Sequence, residues 1–213
     1  MNQETRTSPA KIVIGLLLII GMTLTVIALK PTPTRTQAIP AELQAVLWPM
    51  PKPLQEFNLV DQKQQPFKPE QLKDKWSFLF IGYTHCPDIC PMALASINST
   101  YNLLKQPEVM ASTQVVFVSV DPDRDTPEHL ASYIAYFNKD FIGATGTQAN
   151  IDQFVRQLGA GYNKEPADES GSYQVSHTSS IFLVNPAGEV AGAFSMPHDP
   201  KTIAAQYLQI RAL

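Results

Sequence analysis

The chain has 213 residues, 44% of them hydrophobic and 16% charged, with 18 prolines, 2 cysteines and a formal charge of −3. That apolar content supports a sizeable core and excludes an intrinsically disordered protein. Two cysteines exclude a disulfide-dense scaffold and a four-cysteine zinc module, and the slight negative charge argues against a nucleic-acid partner.

Residues 1–11 read as a short tail. Residues 12–29 (IVIGLLLIIGMTLTVIAL) form an uncharged run of eighteen, flanked by Lys11 and Lys30. At about 1.5 Å per helical residue the run spans roughly 27 Å, close to the hydrocarbon thickness of a bilayer. It is longer than the roughly 7 to 15 apolar residues of a signal peptide, and Lys30-Pro31 follows directly. We expect one uncleaved transmembrane anchor. Arg6 and Lys11 before it nearly balance Lys30 and Arg35 after it, so charge counting does not set its orientation.

Residues 30–54 are proline-rich and read as an irregular tether, because each proline removes a donor and fixes φ. Residues 55–213 read as one domain, and residues 36–213 together carry 12 basic and 18 acidic side chains. Residues 56–60 and 65–67 flank a turn and suggest a hairpin. Residues 76–83 (WSFLFIGY) and 114–120 (QVVFVSV) are continuous apolar runs of the buried-strand type. Between them, residues 87–105 carry helical spacing, though Pro91 obscures where the helix starts. Thr126-Pro127-Glu128 opens a second helix, with Thr126 as cap and Pro127 at its first position. Residues 148–158 form a third. The polar stretch 159–174 reads as a mobile loop. Residues 180–185 and 189–194 form a hairpin around Pro186-Ala187-Gly188, and residues 199–210 a closing helix. This is an α/β order of the thioredoxin-like kind, with an added N-terminal hairpin, and the first two buried strands are expected to be parallel neighbours.

Both cysteines lie in one motif, Cys86-Pro87-Asp88-Ile89-Cys90, between a buried strand and a helix. Open α/β sheets place ligands at such a switch, and a helix N-terminus favours thiolate over thiol. If the segment is helical, a four-residue separation sets the two Cα atoms about 6.2 Å apart. That distance permits a disulfide and also lets two sulfurs converge on one metal ion. The motif is therefore capable of both redox and metal chemistry.

His177 precedes the strand near Ser180. In a thioredoxin-like fold that loop packs against the cysteine loop, so His177 is either a third ligand or a surface histidine. Two thiolates with one imidazole suit soft copper, especially Cu(I), better than zinc. His85 adjoins Cys86, and His129 falls on an expected solvent face. His198 with Met196 is a candidate soft pair or plain loop. The run Asp121, Asp123, Asp125, Glu128 is either a charged loop with a helix cap or an edge that docks a partner. No Gly-rich nucleotide loop, Ser-His-Asp arrangement or HExxH motif is present.

The blocks FIGYTHCPDICPMAL, VSVDPDRDTPEHLASY and VSHTSSIFLVNPAGEV, in this order, resemble the Sco/SenC family of copper-binding, membrane-anchored thioredoxin-like proteins. The likeness covers roughly residues 57–194. It implies that Cys86, Cys90 and His177 bind one copper ion, as Cu(I) or Cu(II), with Asp88 in the motif but not a ligand. It implies a chaperone that takes copper from a donor chaperone and helps assemble the dinuclear copper centre of cytochrome c oxidase subunit II, or serves another copper protein. It places the anchor in a bacterial inner membrane with the domain facing the periplasm. The alternatives are a thiol-disulfide oxidoreductase that reduces the cysteines of that subunit, with Cys86 attacking and Cys90 resolving, and a redox or copper sensor or thiol peroxidase.

Overall fold

The structure is a computed structural model that describes residues 39–213. The expected tail and membrane anchor lie outside these residues, and among the described residues no helix is long and apolar enough to cross a membrane.

Among the described residues, ten strands form two sheets. The large sheet holds β1 (Leu47–Pro53), β2 (Leu59–Asp61), β3 (Pro66–Phe67), β4 (Trp76–Gly82), β5 (Thr113–Ser119), β6 (Ile142–Thr145), β9 (Ile181–Val184) and β10 (Glu189–Phe194). Its order is β1-β10-β9-β4-β5-β6-β2-β3. The centre is parallel, β4 on β5 and β5 on β6, and β9 runs antiparallel to β4. From Ser77 to Gly82, β4 is buried throughout, which explains its continuous apolar run. β7 (Tyr162–Lys164) and β8 (Val175–His177) form a separate two-stranded ladder.

Five helices follow, α1 (Ile89–Leu103), α2 (Pro107–Ala111), α3 (Pro127–Phe137), α4 (Gln148–Gln157) and α5 (Pro200–Arg211). Three are capped as their sequences dictate. Thr126 accepts from the His129 amide, Thr147 from Asn150 and Asp199 from Thr202. Helix α5 lays Tyr207 against Phe78, with ring centroids 4.8 Å apart, and α3 lays Tyr133 against Phe117 at 5.8 Å.

The structure departs from the sequence expectations at four places. The stretch 39–54, inside the expected tether, is ordered. Leu43 is fully buried, and β1 pairs with β10 although it holds Pro49, Pro51 and Pro53. The amide of Leu54 donates to Gly188, so alternation points the proline nitrogens outward, where an edge strand needs no donors. Helix α1 starts at Ile89 rather than Pro87. That leaves Cys86 in the preceding turn and puts Pro91 in the first turn, where its missing N–H costs nothing. The stretch 159–174 is not a featureless loop. It contributes β7 and a turn in which Asp168 accepts from the Ser170 and Ser172 amides. Finally, β6 has no clear apolar run. It is held by pairing with β5 and β2.

Candidate metal centre

The end of β4 sets the cysteines. Cys86 follows directly in the β4–α1 turn, half-buried, and Cys90 sits in the first turn of α1, fully buried. The Cys90 amide points at the Cys86 sulfur, N to Sγ 3.4 Å. This N-terminal helix amide, which has no partner within its own helix, thus finds one in the sulfur. Both thiols are free.

Gly82 is what lets Cys90 reach this position. A Cβ there would stand 2.7 Å from the Cys90 Sγ and 2.9 Å from the Phe117 ring. No side chain fits between the strand end and that sulfur.

His177 closes the site from β8. Its Nε2 lies 3.2 Å from the Cys90 Sγ, and its Nδ1 lies 3.1 Å from the Thr178 carbonyl. A carbonyl can only accept, so Nδ1 carries the proton and Nε2 presents its lone pair to the sulfur. Burial holds the imidazole below its ordinary pKa, against the smaller opposing effect of the Thr178 carbonyl. The ring is thus neutral at physiological pH, which is the state that ligates a metal. Phe80 and Tyr83 meet it edge to face at 5.8 and 6.2 Å and fix its plane.

Burial pushes the Cys90 thiol well above its ordinary pKa, and the neighbouring Cys86 adds to this. A thiol so disfavoured as an anion needs a compensating cation to ionise. The ligand atoms of Cys86, Cys90 and His177 all lie within 4.8 Å of one another, and the cavity beside them, about 350 Å³, is lined by Tyr83, Cys86, Ile89, Gln174 and His177. Two sulfurs and one imidazole nitrogen thus converge at a partly open pocket. That donor set fits copper.

The other candidates distribute unevenly. His198 and Met196 line a separate small pocket with Met92 and Ser96, beside α1. The acidic run is split, with Asp123 and Glu128 exposed and the other two acids turned inward. Asp121 and Asp125 are buried, and Asp123 pairs with Lys164, 2.6 Å. Arg124, ion-paired with Asp121 at 2.5 Å, lies over the Tyr173 ring at 3.6 Å and donates to the Tyr173 carbonyl. This loop therefore clamps the strand ladder that carries His177. Nothing in the sequence points to Tyr173 as its partner. A tyrosine in a polar stretch gives no periodic signal, and the contact spans 49 residues. His85 and His129, far apart in the chain, stack ring on ring with centroids 5.6 Å apart.

Comparison with known proteins gives the family. The SCO1/SenC family model matches residues 50–211. A Stutzerimonas stutzeri protein named for copper binding is 37% identical over 157 residues, covering 73% of this chain and 76% of that one. The copper-bound structure of Arabidopsis thaliana ScoI superposes with a TM-score of 0.69 at 29% identity, covering 75% of this chain and 98% of that one. The structure of BsSco, described as having a disulfide switch and as belonging to the Sco family of cytochrome c oxidase assembly proteins, superposes with a TM-score of 0.58 at 26% identity, covering 78% and 99%. The match spans about half the length of the mitochondrial relatives of zebrafish and human, 48% and 44%. On the family model and the Stutzerimonas relative together, the chain belongs to the SCO1/SenC family.

Proposed function

We propose that this protein is a copper chaperone that carries one copper ion on Cys86, Cys90 and His177. We propose further that it delivers the ion during assembly of the dinuclear copper centre of cytochrome c oxidase subunit II, after loading from a donor chaperone. The carrying observation is the seat of His177, with a lone-pair Nε2 at 3.2 Å from the Cys90 sulfur. Thiol exchange gives that histidine only the task of a base for the buried Cys90, the resolving partner. Copper gives all three groups one. The copper-bound and oxidase-assembly relatives support the reading. The apolar run 12–29 supports a single-pass anchor, with residues 30 onward on the periplasmic side of a bacterial inner membrane.

Anaerobic copper titration of the reduced protein tests it. The wild type should bind one equivalent. Cys86→Ser, Cys90→Ser and His177→Ala should each weaken binding by at least about 100-fold, more than loss of an outer partner costs. Stoichiometric binding retained by all three variants would sink the proposal. Loss in both cysteine variants but not in His177→Ala would favour the oxidoreductase, with copper as an incidental guest.

A further inference from the structure

A second set of metal-type donors lies on the outer side of the same turn. Thr84 and His85 come from the β4–α1 turn, Asp125 from the loop after β5, and His129 from the first turn of α3. Among the described residues, the ligand atoms of His85, Asp125 and His129 are the only others of this kind that gather within 4.8 Å. The Thr84 hydroxyl marks the point on which they converge. It lies 2.5 Å from Asp125 Oδ1, 2.9 Å from His129 Nε2 and 3.1 Å from His85 Nδ1. One proton and two lone pairs account for all three contacts, so the hydroxyl donates to the carboxylate and accepts from both rings.

The charge is the second observation. Asp125 is fully buried. Its bonds come from neutral donors, the Thr84 amide at 2.9 Å and the Thr84 and Ser119 hydroxyls at 2.5 Å. Arg124 next to it is committed to Asp121, and the nearest other basic group is His85, Nδ1 at 3.7 Å. A buried carboxylate without a full cation is costly, and a metal ion compensates it. His85 and His129 are both exposed, so an ion reaches them from solvent and the rings are free to close on it.

We propose that His85, His129 and Asp125 form a second metal site, for a divalent ion of the copper(II) or zinc class. Imidazole and carboxylate suit such ions, whereas the sulfur site suits Cu(I). To bind at bond lengths near 2.0–2.2 Å, the ion takes the place of the hydroxyl. Thr84 turns about one bond, and the two rings move in by about an ångström. Each ring nitrogen gives up its proton or tautomerises, and no electron moves. The site stands one residue from Cys86 yet shares no ligand with it.

The test uses the untagged full chain in detergent, carrying Cys86→Ser, Cys90→Ser and His177→Ala so that the first site is absent. Copper(II) alone is titrated and followed by electron paramagnetic resonance. One equivalent should bind, with nitrogen splittings from two imidazoles, and adding His129→Ala should weaken it by more than about tenfold. No binding, or binding unchanged by His129→Ala, would overturn the proposal. Should the combined variant not fold, zinc titration of the wild type against His129→Ala decides. Loss of a second equivalent with the first retained is expected, and identical stoichiometry refutes the site. Because the proposed chaperone site is absent from one arm and intact in the other, failure here leaves that reading standing.

Discussion

At the residue scale the site depends on close approaches. Gly82→Ala would drive a methyl group into the Cys90 sulfur. Overpacking of this kind costs about 1–3 kcal/mol, so chemical denaturation should show that loss together with weaker copper binding. Unchanged copper affinity would mean that the sulfur can shift without penalty. His198 offers a pH test away from the proposed ligands. Burial holds its pKa below the ordinary value, against the opposing Phe194 carbonyl, and its Nε2 is buried without a partner. The unfolded chain therefore takes up the proton first as pH falls. The stability tied to the neutral ring is complete above about pH 6.5 and is lost below it, down to the depressed folded pKa. Thermal melts from pH 7.5 to 5 should fall less steeply for His198→Gln than for the wild type. Parallel curves would show that this ring makes no contribution. Both cysteines were legible as chemistry from spacing alone. That His177 faces Cys90 was not, because 87 residues separate them and no periodicity spans that distance. The resemblance supplied the pairing, and the fold supplies its geometry.

At the element scale the strand ladder of β7 and β8 holds His177, and Arg124 holds the ladder. Arg124→Ala would remove the cation over Tyr173 and leave Asp121, only 2% exposed, without its cation and held only by the Tyr173 hydroxyl. Breaking such a pair costs on the order of 3 kcal/mol. The expected signature is faster amide exchange across residues 162–177 and reduced copper affinity, with Arg124→Lys only partly rescuing, since lysine lacks the planar group that stacks on the ring. Equal protection in wild type and Arg124→Ala would refute the clamp. The polar composition of residues 159–174 concealed this element. Its strands are short, and their order comes from contacts with a loop distant in sequence.

At the scale of the whole molecule, the edge strand decides where the folded unit begins. Residues 39–213 form one compact unit. Gly192 meets the Val46 carbonyl so closely that an added Cβ would stand 2.0 Å from it. A fragment beginning at residue 55 would uncover the β10 edge and the hole left by Leu43 and Val46, both buried. It should melt lower than a fragment beginning at residue 39 and aggregate through the open edge. Equal melting temperatures would show that β1 is an ornament of the sheet.

By itself the sequence determined what local physics controls: the buried strands β4 and β5, the capped helices, the α/β order and the cysteine pair at a strand-to-helix switch. Apolar runs, N-caps and prolines act over a few residues, so they can be read without knowing the partners. Only the tertiary structure decided that a proline-rich stretch becomes an edge strand, that Asp121 and Asp125 of the acidic run turn inward, and that His177 meets Cys90 while His129 meets His85. Those outcomes depend on which distant surfaces are brought together, and the free energy of each contact exists only once the sheet has placed both of its halves.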